Sequence, residues 1–257
     1  MKGEGMRESF RPSPFDEGMA GDGAEGAGRE AAAASLAHSL AQLFQERFSC
    51  RAFRPDPVPR ETLRAIIATA ARAPSWCNAQ PWQVSLLSGP ALERFREGLH
   101  AHAQRAEPSP DFPWPEAYPG VYGERRRACG YALYESVGIA RGDREAARRQ
   151  ALENYRLFGA PHCAVITSPA ALGVYGAIDC GGFITAFLLA ARAHGVDTIP
   201  QAAIAAFPDF VRAACGLPAE RKVVCAISLG YADPSHPANG FRTTRAALEE
   251  IVTFLDA

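Results

Sequence analysis

Two short segments carry arginine side chains at spacings that suit a phosphate group. Arg47, Ser49 and Arg51 alternate along the chain, so all three would point to one face of an extended stretch. Arginine offers a permanent charge and a planar fork of donors, and a hydroxyl adds one more donor. Near the C-terminus, Arg242 and Arg245 form a second candidate phosphate clamp. A solvated basic surface is the alternative for both segments, and spacing alone favours that alternative for the first.

Two other segments could present polar groups to a ligand. Residues 74–82 read P-S-W-C-N-A-Q-P-W and lead from a predicted helix into a predicted strand. Within them, Asn78 carries an amide that both donates and accepts hydrogen bonds, which matches the polar edge of a heteroaromatic ring. An ordinary turn that contains asparagine is the alternative. Residues 195–201 leave an apolar helix, turn quickly and could offer backbone groups to a ligand.

The composition argues against several classes of protein. A formal net charge of -1 over 257 residues is unlike a nucleic-acid binder, which is usually strongly basic. Seven cysteines occur without a C-x-x-C pair or zinc-ligand spacing, which predicts reduced thiols, no metal site and a cytoplasmic location. The sequence starts without an apolar signal segment, and its most apolar stretch, residues 183–193, is too short to span a bilayer. We therefore expect a buried core helix there and no membrane association.

Hydrophobic periodicity and turn residues predict helices interspersed with strands. Residues 1–33 are rich in small and charged residues and predict a disordered leader, which leaves residues 34–257 as the folded domain. Predicted helices cover residues 35–47, 59–71, 91–104, 125–139, 143–158, 175–194 and 207–215, and predicted strands cover residues 82–87, 163–167 and 222–229. Residues 106–124 contain five prolines and several aromatic side chains, which suits either a substrate lid or a rigid surface loop. The tail, residues 246–255, fits a helix or an extended arm.

This order of elements predicts an α+β or three-layer domain around a small sheet. No G-x-G-x-x-G motif follows a predicted strand, so the sequence does not support a Rossmann dinucleotide-binding fold. No arrangement of serine, histidine and aspartate, and no pair of carboxylates, stands out as a catalytic group.

Four motifs in order resemble those of the FMN-dependent nitroreductase family, and in particular its nitroaromatic-reducing subgroup. They are R-x-S-x-R at 47–51, P-S-x-x-N-x-Q-P-W at 74–82, G-x-x-T-x-P-Q at 195–201, and G-Y-x-D followed by N-x-x-R-x-x-R within 230–245. The resemblance extends over roughly residues 36–257. It implies a three-layer α/β/α fold with a small mixed sheet around a central apolar helix. It also implies a homodimer that holds FMN between its subunits.

The resemblance implies roles for the motif residues. Arg47, Ser49 and Arg51 would hold the FMN phosphate, the ribityl chain and the pyrimidine edge of the ring. Arg245, together with Arg242, would close the phosphate site.

The flavin ring would contact two further sets of residues, some of them across the dimer. These residues are Pro74, Ser75 and Asn78 in the first set and Thr198, Ile199, Pro200 and Gln201 in the second. The chain departs from the family pattern at Phe48, where many members carry another arginine, and at Cys50, where a β-branched residue is common.

The activity that the resemblance implies is reduction of nitroaromatic or quinone-like acceptors by NAD(P)H in a ping-pong, two-electron cycle. The chemistry would be centred on the flavin, with no dedicated catalytic side chain. Two alternatives remain open. One is a different flavin reaction on the same scaffold, such as reductive dehalogenation, flavin breakdown or azoline oxidation. The other is a non-catalytic FMN-binding sensor or carrier.

Overall fold

A computed structural model describes residues 24–255, with side chains from residue 29 onward. Two compact units divide the chain, one ending at Gln42 and the other beginning at Leu43. All the candidate site residues lie in the second unit.

Helices and strands alternate along most of the described chain. The helices are α1 (Ala24–Glu46), α2 (Arg60–Ala70), α3 (Gly89–Ala103), α4 (Val121–Ser136), α5 (Arg144–Leu152), α6 (Gly173–Ala193) and α7 (Pro208–Cys215). The strands are β1 (Gln83–Ser88), β2 (His162–Pro169), β3 (Asp197–Gln201) and β4 (Arg221–Gly230). Short 3-10 turns fill several of the connections.

The four strands form one sheet in the order β1-β2-β4-β3. Every neighbouring pair of these strands is antiparallel, so the prediction of a mixed sheet is wrong for the named strands. The one parallel pairing in the described part of the chain is an isolated bridge between Ser49 and Thr198. Strands β2 and β4 pair directly at the centre of the sheet. Helix α6 carries the chain from β2 to β3, which pairs with the far side of β4.

Helices cover both faces of the sheet, which confirms the predicted three-layer α+β fold. On one face, α2 and α6 pack against Ala164 and Ile166 of β2 and against Ile227 and Leu229 of β4. On the other face, α3 and α7 pack against the side chains of the same two strands that point the opposite way. Successive strand side chains point to opposite faces, so a central strand must be apolar on both.

The central helix α6 spans Gly173–Ala193, close to the predicted residues 175–194 and longer than the apolar stretch of residues 183–193. With its preceding turn it spans Ala170–Ala193, which is long and apolar enough to cross a membrane by length and composition alone, although a core helix passes the same test. Its buried face includes Cys180, Phe183 and Phe187, all fully inaccessible and packed against the sheet. This packing makes α6 a core helix, as the sequence predicted. Its outer face is exposed.

The start of α1 and the end of α5 differ from the sequence prediction. Helix α1 begins at Ala24 rather than at residue 35, so residues 24–33 of the predicted leader are helical, while residues 1–23 lie outside the described part of the chain. The alanine-rich composition explains this, since alanine has the highest helix propensity. Helix α5 ends at Leu152, and the chain then turns through positive φ angles at Leu157 and Phe158. Burial of these two side chains overrides the helical pattern.

Two further segments also differ. Strand β3 was not predicted, because it is short and contains Pro200, which lacks the backbone donor that a strand normally uses. The tail forms neither a helix nor a regular strand: a 3-10 turn at Leu248–Glu250 interrupts otherwise irregular chain.

A buried histidine joins β1, β2 and the start of α2, and it makes stability depend on pH. The Nε2 atom of His162 accepts a hydrogen bond from the Val58 amide at 2.9 Å, so its Nδ1 atom carries the proton and donates to the Ser88 hydroxyl at 2.6 Å. Burial lowers the pKa of His162 below its ordinary value. As the pH falls below about 6.5, this histidine is therefore protonated more readily in the unfolded chain than in the folded chain. The free energy of unfolding decreases as a result.

We predict that His162→Gln weakens this pH dependence. The free energy of unfolding, measured by urea denaturation, should fall by about 2 kcal/mol at pH 7.5 because two buried hydrogen bonds are disturbed. Its slope between pH 6.5 and 5 should become shallower than in the wild type. His194→Gln, at an exposed position, is the matched control and should keep the wild-type slope. An unchanged slope in His162→Gln would contradict the assignment.

Candidate functional site

Arginine side chains from two distant parts of the chain line one cavity of about 490 Å³. We call it the arginine cavity. Its polar lining includes Arg47, Ser49, Arg51, Arg242 and Arg245, which are the residues predicted from the two basic segments. The remaining lining residues are Phe44, Gln45, Phe48, Cys129, Phe241 and Thr243, so four arginines and no carboxylate face this space.

The first basic segment is held against the edge of the sheet. Helix α1 ends at Glu46, and Ser49 then pairs with Thr198 of β3 while the amide of Cys50 donates to the Thr198 carbonyl at 3.0 Å. Cys50 is fully buried. Because side chains alternate in extended chain, Ser49 and Arg51 point the other way, into the cavity.

Asn239 ties the two basic segments together, although they are far apart in sequence. Its Oδ1 atom accepts a hydrogen bond from the Arg51 amide at 2.7 Å. Its Nδ2 atom donates to the carbonyls of Ala52 at 2.8 Å and Asp233 at 2.9 Å. Asn239 belongs to the N-x-x-R-x-x-R motif, so the signal for it was present, but sequence reasoning gave it no role in the site. It fixes the backbone from which Arg242 and Arg245 project.

Aromatic rings position two of the guanidinium groups. The Arg242 guanidinium lies 4.1 Å from the centre of the Phe48 ring, and the Arg51 guanidinium lies 5.4 Å from the centre of the Phe241 ring. Cation–π contacts of this kind orient a planar cation while leaving its N–H groups free at the edge. Phe48, the departure from the family pattern, therefore supports an arginine of the cavity.

The electrostatics of the arginine cavity favour an anion. Burial, and then the charge of Arg245, lower the pKa of Arg47. None of the ion pairs found among residues 24–255 involves Arg47, Arg51, Arg242 or Arg245. An arginine stays protonated in proteins, so the positive charges that line this cavity favour a bound anion.

The second candidate segment forms a tight loop after α2. A 3-10 turn at Trp76–Asn78 includes left-handed backbone at Cys77 and Asn78, and Gln80 also has a positive φ. The Ser75 hydroxyl accepts a hydrogen bond from the Gln80 amide at 2.9 Å, which closes the loop. The Asn78 side chain is exposed, with its Oδ1 atom accepting from the Gln80 side chain.

Helix α6 holds this loop in place. The Trp76 amide donates to the Asp179 carboxylate at 3.1 Å, and the rings of Trp76 and Tyr175 lie 4.4 Å apart. Asp179 is a positioning residue that the sequence analysis missed, because nothing in its local sequence distinguishes it from other helix residues.

The loop that contains Pro74, Ser75 and Asn78 does not reach the arginine cavity within one chain. The loop is fastened to Asp179, in the first half of α6, whereas the arginine segment lies at the other end, where Arg192 binds Glu46 and Asp197. Thirteen helical residues separate Asp179 from Arg192, which corresponds to about 20 Å. Within one chain the loop and the arginine cavity therefore lie apart, and contact of the loop with the flavin across the dimer stays a prediction.

Strand β3 contributes backbone more than side chains. Thr198, Ile199 and Gln201 are buried, and Pro200 is partly exposed. The Gln201 side chain is engaged internally: it donates to the Asn154 carbonyl at 2.8 Å and accepts from the Ser228 hydroxyl at 2.5 Å. It was predicted to line a ring, but its side chain is fixed inside the domain, so only its backbone is available at the sheet edge.

The chemistry of this arrangement is cofactor binding. Four cations and a hydroxyl suit a phosphate group. No cluster of three or more histidine, cysteine or acidic side chains that could hold a metal occurs in the part of the chain that the structure describes.

Fold and site together fit one class of protein: an α+β domain with a cationic cavity, at the edge of an antiparallel sheet, that suits a phosphate-bearing cofactor. Comparison with models of known families matches residues 44–231 to the nitroreductase family. The chain therefore belongs to the nitroreductase family, as its motifs suggested.

Two named relatives and one solved structure illustrate the similarity. The chain is 41% identical over 221 residues to nitroreductase NfnB of Mycolicibacterium smegmatis, covering 85% of this chain and 94% of the relative. It is 34% identical over 214 residues to a 4-nitrobenzoate reductase of Nocardioides sp., covering 81% and 87% respectively. The crystal structure of the FMN-dependent nitroreductase NfnB from Mycobacterium smegmatis in complex with NADPH matches with a TM-score of 0.82 at 40% identity, covering 85% of this chain and 99% of that one.

We predict that inorganic phosphate stabilises the flavin-free protein through the arginine cavity. At a phosphate concentration about 100 times its dissociation constant, the gain should approach about 2.7 kcal/mol in the free energy of unfolding. The measurement is a thermal melt in phosphate and in chloride at equal ionic strength, so that general screening is matched.

The double variant Arg47→Gln/Arg245→Gln should lose this stabilisation, whereas Arg60→Gln, on the exposed start of α2, should keep it. A double variant that responds to phosphate like the wild type would rule out this cavity as the anion site.

Proposed function

We propose that this protein is an FMN-dependent oxidoreductase that uses NAD(P)H to reduce nitroaromatic or quinone-like acceptors in a ping-pong cycle. The observation that carries the proposal is the arginine cavity, four guanidinium groups without a carboxylate, in a chain of the nitroreductase family. The relatives support the chemistry. One is described as an FMN-dependent nitroreductase in complex with NADPH, and another is a 4-nitrobenzoate reductase.

The residues of the arginine cavity fit FMN in charge and in donor type. Arg47 and Arg245, which repel each other in the absence of an anion, would hold the phosphate together with Arg242. Ser49 would hydrogen-bond the ribityl chain. When bound, FMN supplies the capacity to accept two electrons from a nicotinamide and pass them to an acceptor.

Arg51 would lie at the pyrimidine edge of the ring. Its guanidinium is fixed by the Phe241 ring and by a hydrogen bond of 3.1 Å to the Ser49 carbonyl. A cation held in advance of the reaction stabilises negative charge that develops near it, without reorganisation at the moment of reaction. No side chain is needed as a dedicated acid or base if water delivers the protons.

A homodimer would complete the site. The arginine cavity and the Asn78 loop lie at opposite ends of α6, so one subunit alone cannot present both to one flavin. The outer face of α6 carries Val174, Tyr175 and Ile178, whose side chains are 65%, 53% and 60% exposed. Two α6 helices packed antiparallel through this face would bring the Asn78 loop of one subunit toward the arginine cavity of the other.

The C-terminal tail adds apolar surface that supports the same dimer. Leu248, Ile251 and Phe254 are all more than half exposed. A stable dimer usually buries at least several hundred Å² on each partner, with apolar residues at its centre. The α6 face and the tail together offer such a surface.

The proline-rich loop would serve as a substrate lid only in its second half. Its first half is fixed, because the Asp111 carboxylate binds Arg212 at 2.6 Å and the Val223 amide at 2.8 Å. Beyond this anchor, Trp114 and Tyr118 are 44% and 47% exposed and could close over an aromatic acceptor. All seven cysteines are free thiols, which suits a cytoplasmic enzyme.

An anaerobic titration tests the proposed function. The purified protein should be yellow, should bleach on addition of NADPH or NADH, and should recolour with a nitroarene such as 4-nitrobenzoate. Arg47→Ala should yield nearly colourless protein because the phosphate loses a charge-assisted contact. Arg60→Ala, which changes an exposed arginine elsewhere, should remain yellow. Protein that binds FMN but does not bleach would favour the sensor or carrier, and a yellow Arg47→Ala variant would refute the phosphate assignment.

The dimer has its own test in the outer face of α6. We expect Ile178→Glu to shift the protein from dimer to monomer in sedimentation experiments, because a charge would be buried without a partner. The monomer should also bind FMN less tightly, since half of the site is missing. Ala101→Glu, on exposed α3 in the opposite layer, is the matched control and should remain dimeric. A dimeric, fully flavinated Ile178→Glu variant would exclude this interface.

A further inference from the structure

A second cavity adjoins the arginine cavity beside helix α4, and the proposed function assigns no ligand to it. We call it the α4 groove. It measures about 730 Å³ and shares Cys129, Arg242, Thr243 and Arg245 with the arginine cavity. Because these residues line both spaces, the two cavities adjoin, with the 47–51 segment on one side and α4 on the other.

The walls of the α4 groove combine small apolar side chains with charges. Val121, Ala128, Ala132 and Ala246 leave room for a flat ring. The charged side chains that face the groove are those of Glu124, Arg125, Arg242, Arg245 and Glu250, three cations against two carboxylates.

One ion pair crosses the groove and can be exchanged. The Nη2 atom of Arg125, on α4, lies 2.8 Å from the Oε2 atom of Glu250, on the tail. The two side chains are 45% and 52% exposed, and an exposed ion pair contributes little to stability. The other carboxylate oxygen of Glu250 accepts from the Ala247 amide at 3.0 Å. Glu250 therefore keeps a partner if Arg125 turns to another anion.

We propose that the α4 groove receives the adenosine end of NADPH and that Arg125 binds its 2′-phosphate, which selects NADPH over NADH. This assignment rests on the proposed function. NADPH is longer than FMN because it carries a second ribose, a further phosphate and adenine. A nicotinamide stacked on the flavin ring and running alongside FMN must extend past the FMN phosphate. The α4 groove is the space that continues beyond the arginine cavity.

Arg125 has the properties of a selector because the 2′-phosphate is the only group that distinguishes the two nicotinamides. With NADPH, Arg125 exchanges the Glu250 carboxylate for a phosphate that accepts from its planar donor fork. With NADH, the ribose offers a neutral hydroxyl, and Arg125 stays paired with Glu250. Glu250 thus competes with the 2′-phosphate for one guanidinium.

Steady-state kinetics of the FMN-loaded enzyme test the assignment through the two partners of this ion pair. Arg125→Gln should raise KM for NADPH about tenfold, as expected for one charge-assisted contact, and leave KM for NADH within about twofold. Glu250→Gln should lower KM for NADPH by about threefold, because the competing carboxylate is gone. Arg127→Gln, on the same helix but outside the groove, should change neither.

The opposite directions of these two changes in KM for NADPH distinguish a role in binding NADPH from a purely structural role. If the ion pair merely fastens the tail to α4, both substitutions will shift both nicotinamides in the same direction, and the assignment fails. Flavin absorbance measured on the same samples should be unchanged in all three variants. If neither nicotinamide bleaches the wild-type protein, the proposed function itself fails, which is a different outcome from bleaching without a role for Arg125.

A binding measurement provides a readout that does not depend on turnover. Calorimetric titration of the FMN-loaded protein with 2′,5′-ADP and with 5′-AMP should show tighter binding of 2′,5′-ADP by about tenfold. The preference should disappear in Arg125→Gln and increase in Glu250→Gln. Equal affinity of the wild type for the two nucleotides would overturn the proposal.

Discussion

The gathering of four arginine side chains in one cavity is the constraint on which the candidate site of this protein depends. Arg47, Arg51, Arg242 and Arg245 share a cavity without a carboxylate, and the pKa of Arg47 is lowered by burial and by its neighbour Arg245. The folded chain holds these charges together by means that involve no counter-charge. These means are the hydrogen bonds of Asn239, the stacked phenylalanine rings and the pairing of the first segment with β3. Affinity for an anion follows directly, because binding relieves repulsion that folding has already imposed.

Helix α6 connects this cavity with the rest of the proposed site. Its inner face fills the core with aromatic side chains, which fixes the helix against the sheet. Asp179, in the first half of the helix, holds the loop that carries Asn78, and Arg192, in its last turn, binds Glu46 next to the arginine segment and Asp197 of β3. A rigid rod about 20 Å long between the two half-sites explains why one chain keeps them apart. The proposed dimer turns this separation into a complete site.

Much of the fold could be predicted from the sequence, because most elements have a clear apolar period and clear ends. The strands β2 and β4 are continuous apolar runs, and α6 ends at Ala193, two residues before Gly195, whose φ of +69° suits glycine. Strand β3 escaped prediction because its existence depends on pairing with β4 and not on its own composition. The turn at Leu157 and Phe158 was missed for a related reason, since burial against distant side chains decides it.

The residues of the candidate site also differ in whether local sequence could reveal them. Arg47, Ser49, Arg51, Arg242 and Arg245 were found because charge and spacing are local properties. Asn239 and Asp179 were not, because their value lies in hydrogen bonds to residues more than 100 positions away. The separation of Asn78 from the arginines likewise depends on where α6 places each segment, which no local pattern records.

The backbone of the loop between α2 and β1 limits which substitutions this surface can accept. Cys77, Asn78 and Gln80 all adopt left-handed backbone, which asparagine tolerates comparatively well and which β-branched residues strongly disfavour. The set of amino acids acceptable at these three positions is therefore small, whatever molecule lies opposite them. Ala79, with φ of −66°, is free of that restriction. Substitutions that keep the backbone of this loop are therefore more accessible at Trp76 and Ala79 than at the residues on either side of Ala79.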